Sequence, residues 1–242
     1  MTIIPEKKPM IMRGHHIDVV FCIDGTGSMS SHMNDQNDQL DEVKHMVSCF
    51  ILKVADAFKK TGRTVESLRA KVIVFRDFGI DDDALVSSRF FSLPHENDLF
   101  QAFLQSINAV GGGDEAENGL EALAEAMNSE WDHESRLLRQ IIVLFTGSSA
   151  HPLEDSVKSH AQYPRTAPSS FSELCEWWEN GTPNGCLKRS AKRLLLYAPN
   201  ADPWDYIAQR WGNTFFVPVE NNVFDFTEET QDYLLRTVTC AV

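Results

Sequence analysis

One stretch of the chain, residues 17–29, constrains the fold more than any other. Its apolar residues run from Val19 to Ile23 and stop abruptly at Asp24, which is followed by Gly-Thr-Gly-Ser. A short apolar run of this kind is typical of a strand buried on both faces of a parallel sheet. In α/β proteins the carboxyl ends of such strands carry the binding sites. The sequence therefore predicts a site at Asp24 and the residues that follow it.

Three oxygen-bearing side chains come directly after this strand, those of Asp24, Thr26 and Ser28. The glycines between them allow the backbone to turn tightly, so that the three oxygens can face one point. Side-chain oxygens are the ligands that hard divalent cations prefer. The sequence thus predicts a metal site that contains Asp24, Thr26 and Ser28.

Other interpretations of this stretch fit less well. A dinucleotide-binding fingerprint needs a third glycine where the chain has Ser30, and a phosphate-binding loop needs a Gly-Lys-Ser/Thr sequence that is absent. A phosphatase-type nucleophile pair would need a second aspartate in place of Thr26. The simplest alternative is a strand-to-helix turn in which Ser28 only caps a helix.

A second polar loop contains three successive glycines, residues 111–113, followed by Asp114. Asp114 and Glu117 have the spacing of an acidic capping box, which would explain both residues without a ligand. A cap does not require three glycines, however, and successive glycines usually serve to let the backbone bend sharply or approach a neighbour closely. We therefore predict Asp114 as a fourth metal ligand and keep the helix cap as the alternative.

Strand and helix patterns alternate along the chain without repeats or a linker. This alternation predicts an α/β fold with a single doubly wound, mostly parallel sheet of about six strands and helices on both faces. One antiparallel edge strand is expected at residues 89–93. The expected organisation is an N-terminal lead at 1–14 and one domain at 15–242, with a long loop or insertion at about 151–192.

The chain is acidic, with 22 Lys and Arg against 35 Asp and Glu among 242 residues, and a formal net charge of −13. Such a charge repels a phosphate backbone, so nucleic acid is not an expected partner. No apolar run approaches the length of a membrane-spanning helix, and the first residues lack the apolar segment of a secretory signal. We therefore expect a cytoplasmic protein that does not bind membranes.

The order of these motifs resembles the von Willebrand factor A domains. The resemblance rests on Asp-x-Thr-Gly-Ser-Met at Asp24, Phe-Arg-Asp at Phe75, Gly-Gly-Gly-Asp-x-x-Glu ending at Glu117, a strand ending in Thr146, and His-Pro-Leu at His151. It runs from about residue 16 to the end of the chain. Within these domains the chain is most similar to the bacterial cytoplasmic group found beside a protein kinase and a metal-dependent phosphatase, in systems related to tellurite resistance.

The resemblance implies a metal-ion-dependent adhesion site. Asp24, Thr26 and Ser28 match the motif that contacts Mg²⁺ or another divalent ion, and Asp114 falls where the second loop supplies its ligand. The family usually has aspartate directly after the strand-ending threonine, where this chain has Gly147. Because Asp24 and Asp114 can together neutralise a divalent ion, we expect a competent but weaker site, in which Ser148 or Ser149 can substitute for the missing aspartate.

The expected function is therefore metal-dependent binding of another protein. Mg²⁺, or alternatively Mn²⁺ or Ca²⁺, would keep open coordination positions for an Asp or Glu of a partner, which could be a kinase or phosphatase in a signalling or stress-response complex. A scaffold that binds without any ion is the second interpretation. A metal-assisted hydrolase is the third, but His151 is the only histidine near the predicted site and has no evident supporting partner. We expect no enzymatic activity and no catalytic residues.

Overall fold

The computed structural model describes residues 14–30, 38–113, 115–153, 163–221 and 223–239. Its central feature is a seven-stranded sheet covered by helices on both faces. The strands are β1 (His15–Asp24), β2 (Val65–Phe75), β3 (Leu85–Ser87), β4 (Phe91–Leu93), β5 (Ala116–Glu117), β6 (Leu138–Phe145), β7 (Ser149–Ala150), β8 (Lys192–Ala198) and β9 (Thr214–Pro218). The helices are α1 (Gln39–Lys60), α2 (Asn97–Ser106), α3 (Gly119–Met127), α4 (Phe171–Asn180), α5 (Trp204–Arg210) and α6 (Glu228–Thr239).

The order of the strands confirms the predicted fold class. Five strands are parallel and lie in the order β2, β1, β6, β8, β9. The edge beyond β2 is antiparallel and consists of two short strands, β3 and β4, which pair with different parts of β2. The predicted edge strand is β4, and β3 is an additional one. A separate parallel pair, β5 with β7, lies outside the main sheet.

Side chains of β1 alternate between two hydrophobic cores, as a strand buried on both faces requires. Val19 and Phe21 pack on the side of α1, α2 and α6. Val20 and Cys22 pack on the side of α3, α4 and α5. All four residues are fully buried. The apolar run in the sequence is unbroken because both faces of β1 are buried.

The strand order also fixes where a site can form. The chain leaves β1 to form β2 on one side and returns later to form β6 on the other side. Loops that follow adjacent parallel strands but run in opposite directions leave a crevice between the strand ends, at the switch point of the sheet. The carboxyl ends of β1 and β6 meet at this point, and they carry Asp24 and Thr146.

The described part of the 151–192 segment contains α4, which belongs to the second core. Trp178 is fully buried, stacks on Trp211 with ring centroids 5.1 Å apart, and donates a hydrogen bond from Nε1 to the Gly212 carbonyl at 2.9 Å. Trp177 is also buried. Both tryptophans therefore belong to the packed core. Residues 154–162 of this segment lie outside the described residues.

Within the described ranges, none of the helices combines the length and apolar character that crossing a bilayer requires.

Candidate functional site

Three of the four predicted ligands meet at the carboxyl end of β1. The Thr26 backbone N–H and Oγ1 both donate to Asp24 Oδ1, at 3.0 and 2.7 Å. The hydroxyl oxygens of Thr26 and Ser28 are 3.0 Å apart. Ser28 lies inside a short 3-10 helix, Gly27–Met29, whose N-cap is Thr26 and which has no side-chain cap. The alternative in which Ser28 acts only as a helix cap is therefore wrong.

Thr146 completes the hydrogen bonding of Asp24. Its Oγ1 donates to Asp24 Oδ2 at 2.8 Å and accepts a hydrogen bond from the Ser148 backbone N–H at 3.0 Å. The sequence marked Thr146 only as the end of a strand. Its role depends on the adjacency of β1 and β6, which the periodicity of either strand does not show.

Asp24 is fully buried, and this burial raises the pKa of its carboxyl group above the ordinary value. Hydrogen bonds from Thr26 and Thr146 and the positive charge of Arg76 act in the opposite direction, but burial is the larger effect. Ionisation of Asp24 is therefore less favourable in the folded protein than in water, and a further positive charge close to it would favour the ionised form.

The buried Arg76 side chain joins three loops around Asp24 through backbone carbonyls. Its Nε donates to Gly25 at 2.9 Å, and its two terminal nitrogens donate to Asp83 at 3.1 Å and Asn108 at 3.0 Å. Sequence reasoning gave Arg76 no role, although its position directly after β2 placed it at the same sheet edge as Asp24. We interpret it as a positioning residue for the loops.

The glycine loop packs directly against the loop after β1. The backbone N–H of Gly27 donates to the Gly111 carbonyl, and that of Val110 donates to the Gly25 carbonyl, both at 3.0 Å. The two loops that were predicted to share a metal site are therefore hydrogen-bonded neighbours.

Gly111 and Gly112 have φ values of +76° and +74°, a region that side chains other than glycine rarely adopt. A Cβ on Gly111 would overlap the carboxylate of Asp81. Asp81 accepts hydrogen bonds from the backbone N–H groups of Asp77, at 3.2 Å, and Gly112, at 3.0 Å. The neighbouring Asp82 and Asp83 are exposed, whereas Asp81 is half-buried and holds the glycine loop.

Asp114, the fourth predicted ligand, lies outside the described residues. The capping-box interpretation of Asp114 and Glu117 is wrong, because Glu117 belongs to β5 and α3 begins only at Gly119, after Asn118. Glu117 is buried, and a Cβ on Gly112 would lie 3.0 Å from Glu117 Oε1 and 3.1 Å from the Thr26 Cβ. The Glu117 carboxylate is therefore close to the Asp24 cluster, which the sequence did not indicate.

The chain has no side chain at Gly147, where the family usually has aspartate. The backbone of the next residue, Ser148, donates to Thr146 and accepts a hydrogen bond from Trp204 Nε1 at 2.9 Å. Ser149 lies in β7. A substitution of the missing aspartate by the side chain of Ser148 or Ser149 stays a prediction.

A second group of buried polar residues lies on the β5–β7 side of the sheet edge. The hydroxyl of Tyr163 donates to Glu121 Oε1 at 2.9 Å, and burial raises the pKa of Glu121. His151 Nε2 is 3.8 Å from Asp77 Oδ2, and its backbone N–H donates to the Glu117 carbonyl at 3.0 Å. These contacts connect His151, in the His-Pro-Leu motif, to the loop after β2.

The residues that the structure describes include no group of three or more His, Cys, Asp or Glu side chains arranged to hold a metal ion. The predicted site has a different composition. Its described members are one carboxylate and two hydroxyl groups, and its second carboxylate, that of Asp114, is outside the described residues.

Solved structures with this fold include bacterial pilus proteins. The pilus adhesin SpaC from Lactobacillus rhamnosus GG matches with a TM-score of 0.54 at 12% identity, over 93% of this chain and 30% of its own. The PilB minor pilin from Streptococcus sanguinis matches with a TM-score of 0.55 at 12% identity, over 95% of this chain and 61% of its own. This chain thus spans less than two thirds of either protein, and the likeness concerns the fold alone.

No curated protein matches the chain. A family profile does match it, over residues 19–149, more than half of the sequence, and this region contains the Asp24 motif and the glycine loop. The profile is that of the von Willebrand factor type A domain, and the chain therefore belongs to the von Willebrand factor type A domain family.

Proposed function

We propose that this domain binds a partner protein through a divalent metal ion held by Asp24, Thr26, Ser28 and Asp114. Domains of this family mediate protein–protein interactions, which supports an interaction role. The observation that carries the metal dependence is the convergence of three side-chain oxygens: Thr26 Oγ1 lies 2.7 Å from Asp24 Oδ1 and 3.0 Å from Ser28 Oγ.

The described oxygens fit a hard cation of the size of Mg²⁺. Octahedral ligands at 2.0–2.1 Å from Mg²⁺ lie about 2.9 Å from their neighbours. The observed separations are 2.7 Å between Asp24 Oδ1 and Thr26 Oγ1, and 3.0 Å between Thr26 Oγ1 and Ser28 Oγ. Hydroxyl groups can turn their hydrogens away and offer lone pairs without a large movement of the oxygens.

The charges near the site also favour a cation. Asp24 is buried with a raised pKa, so that a nearby positive charge would relieve the unfavourable ionisation of its carboxylate. Asp114 supplies the second negative charge of the proposed set. Glu117 provides a further carboxylate close to Thr26, and we infer that it offsets the charge lost with aspartate at position 147.

Each residue then has a defined task. Thr26 and Ser28 present their hydroxyl oxygens, Thr146 holds the far oxygen of Asp24, and Arg76 keeps the surrounding loops in place. A bound divalent ion would supply an open coordination position for the carboxylate of a partner's Asp or Glu. Mn²⁺ and Ca²⁺ are the alternatives to Mg²⁺.

The proposed setting is a bacterial signalling or stress-response complex in the cytoplasm, where a protein kinase or phosphatase of the tellurite-resistance-like systems is the partner. The acidic net charge of −13 disfavours nucleic acid and anionic membrane surfaces as partners. We infer binding without catalysis, because the described hydrogen bonds of Asp24 go to Thr26 and Thr146, whereas His151 Nε2 lies 3.8 Å from Asp77 Oδ2.

Isothermal titration of the whole chain with MgCl₂, MnCl₂ and CaCl₂ tests the metal. We expect saturable heat from the wild type and none from Asp24→Asn, which removes the charge but keeps the shape of the side chain. Asp56→Asn is the matched control, because it removes an exposed carboxylate on α1 whose described ion pair is with Lys59, at 3.2 Å. Its titration should equal that of the wild type.

Partner binding is tested with a protein that the wild-type domain captures in the presence of Mg²⁺. Its binding should be lost in EDTA and with Asp24→Ala. Retention of binding under both conditions contradicts the metal-bridging proposal. That result would favour the second candidate, a scaffold that works without an ion, which is supported by Gly147 and by the hydrogen bonds that already satisfy both oxygens of Asp24.

A further inference from the structure

A groove lies beside the Asp24 site, between the turn after β2 and the segment after α2. Its volume is about 440 Å³, within the range of roughly 300–1,000 Å³ that is usual for ligand sites. The turn at residues 81–83 contributes one wall, and residues 106–108 and Val110 contribute the other. All three residues of the turn are aspartates, so we call this feature the acidic groove.

The acidic groove is held against the loop after β1 through a single carbonyl group. The Gly25 carbonyl, directly after Asp24, accepts hydrogen bonds from Arg76 Nε at 2.9 Å and from the Val110 backbone N–H at 3.0 Å. Arg76 and Val110 both line the groove. A side chain bound in the groove would therefore lie next to the proposed metal site.

The charges that face the groove are mostly negative. Among the described residues that line it, three carboxylates stand against one guanidinium group, that of Arg76. Arg76 is buried and donates hydrogen bonds to three backbone carbonyls. Asp82 and Asp83 are exposed, and none of the described ion pairs includes them. This arrangement attracts a cationic group.

Apolar side chains line the groove and continue onto the surface beside it. Val86 and Phe103 lie in the groove. Val110 is 53% exposed, and Ile80, which directly precedes the acidic turn, is 58% exposed. A Cβ on Gly113 would overlap Ile80 Cδ1, so that Ile80 lies against the glycine loop. Exposed apolar side chains that adjoin a polar rim are typical of interaction surfaces.

An arginine or lysine side chain matches this combination of walls and charges. Its apolar stem can pack on the apolar wall while its charged end reaches the carboxylates at the rim. The rim also sets a condition for any partner, because an Asp or Glu that approaches the metal is repelled by Asp82 and Asp83. A basic residue beside that Asp or Glu would offset the repulsion.

We propose, as a consequence that rests on the metal-dependent function proposed above, that the partner binds in two places at once. Its Asp or Glu binds the metal, and an Arg or Lys a few residues away enters the acidic groove, while an apolar neighbour packs on Ile80 and Val110. Two linked contacts reinforce each other, because the first holds the second at a high local concentration. The partner is therefore a peptide segment that carries both charges and an apolar residue.

The probe that tests this proposal is a phage-displayed library of random peptides with one glutamate fixed at the centre. The whole chain is immobilised, and the selection is made in MgCl₂ at low ionic strength. We expect enrichment of Arg or Lys at a constant distance from the glutamate, together with an apolar residue. Absence of enrichment, or enrichment without a basic residue, overturns the proposal.

A double-mutant cycle locates the basic residue. The most enriched peptide is synthesised, and its affinity is compared by fluorescence polarisation with that of the same peptide carrying glutamine in place of the basic residue. For the wild type, the glutamine peptide should bind about threefold to tenfold more weakly, as expected for one cation beside two exposed carboxylates. Asp82→Asn/Asp83→Asn should bind both peptides equally. Equal binding by the wild type, or unchanged discrimination by this variant, overturns the proposal.

Two matched controls test the position of the surface. Glu130→Gln/Glu134→Gln removes two exposed carboxylates from the segment before β6, at the opposite edge of the sheet, and should keep the wild-type discrimination. Ile80→Ser should weaken the binding of both peptides, whereas Leu52→Ser, which removes an exposed leucine of α1, should not. Lost discrimination in the glutamate variant, or equal effects of Ile80→Ser and Leu52→Ser, contradicts the proposal. Thermal unfolding checks that each variant keeps its fold.

Repetition of the measurements in EDTA separates this proposal from the metal site. If the peptides bind equally well in EDTA and the wild type still discriminates between them, the metal bridge fails and the acidic groove stands. If binding needs Mg²⁺ but the wild type does not discriminate, the acidic groove fails and the metal bridge stands.

Discussion

The glycine loop gives the sharpest test of how the Asp24 site is built. Gly111 has a φ of +76°, and a Cβ there would overlap the Asp81 carboxylate. Gly62, at the end of α1, has nearly the same φ, +75°, but its Cβ would meet none of the described atoms within 4 Å. Comparison of Gly111→Ala with Gly62→Ala therefore separates the strain of the backbone from the displacement of Asp81.

The expected magnitudes follow from these contacts. A left-handed backbone costs alanine roughly 1–2 kcal/mol at either position. Displacement of Asp81 also weakens its hydrogen bonds from the backbone N–H groups of Asp77 and Gly112, at 3.2 and 3.0 Å. Such charge-assisted bonds contribute about 1.5–3 kcal/mol each, and water can replace part of them because Asp81 is half-buried. We therefore expect Gly111→Ala to lower the free energy of unfolding by about 3–4 kcal/mol and Gly62→Ala to lower it by about 1–2 kcal/mol.

Urea unfolding gives both free energies, and thermal unfolding should show a decrease in Tm of roughly 10 °C for Gly111→Ala against roughly 3–6 °C for Gly62→Ala. The heat of Mg²⁺ binding should fall with Gly111→Ala and persist with Gly62→Ala.

A double-mutant cycle completes the test. In an Asp81→Ala background the overlap is removed, so Gly111→Ala should cost only the backbone strain of roughly 1–2 kcal/mol. Equal destabilisation by Gly111→Ala and Gly62→Ala, or equal effects of Gly111→Ala with and without Asp81, would refute the reasoning.

The remaining predictions concern Asp24 and Trp178. Below pH 3.8, the ordinary pKa of aspartate, Asp24 is protonated in both the folded and the unfolded protein. As the pH rises, Asp24 ionises first in the unfolded protein, because burial raises its pKa in the folded protein. In EDTA, the free energy of unfolding of Asp24→Asn, measured with urea, should therefore increase relative to that of the wild type between pH 4 and pH 7. A difference between the two proteins that does not change with pH would contradict this. At Mg²⁺ concentrations 100 times the Kd, the free energy of unfolding of the wild type, followed by thermal unfolding, should rise by about 2.7 kcal/mol, and that of Asp24→Asn should not change. Equal increases for both proteins would exclude metal binding at Asp24. Trp178→Ala should lower the free energy of unfolding by about 3–5 kcal/mol, because it empties a fully buried position and removes the hydrogen bond to Gly212. Trp178→Phe should lower it by less. A decrease below about 1 kcal/mol for Trp178→Ala would show that α4 is not part of the core.

Much of the fold was predictable because burial leaves a periodic pattern along the chain. The apolar run before Asp24 indicated β1, and the buried residues Val43, Val47 and Phe50 of α1 recur in the sequence at helical spacing. The pattern also placed Thr26 and Ser28 beside Asp24, because residues this close along a tight turn stay close in space. The edge strand β3 was missed, since three residues are too few to show a period.

The sequence by itself determined the local features: the strands and helices, the motif at Asp24, and the need for glycine at 111 and 112. Only the tertiary structure decided which distant residues meet, such as Thr146 with Asp24 and Asp81 with Gly112. Local patterns record whether a residue is buried and how its backbone turns. They do not record the order of strands in the sheet, and that order brings the ends of separate strands together.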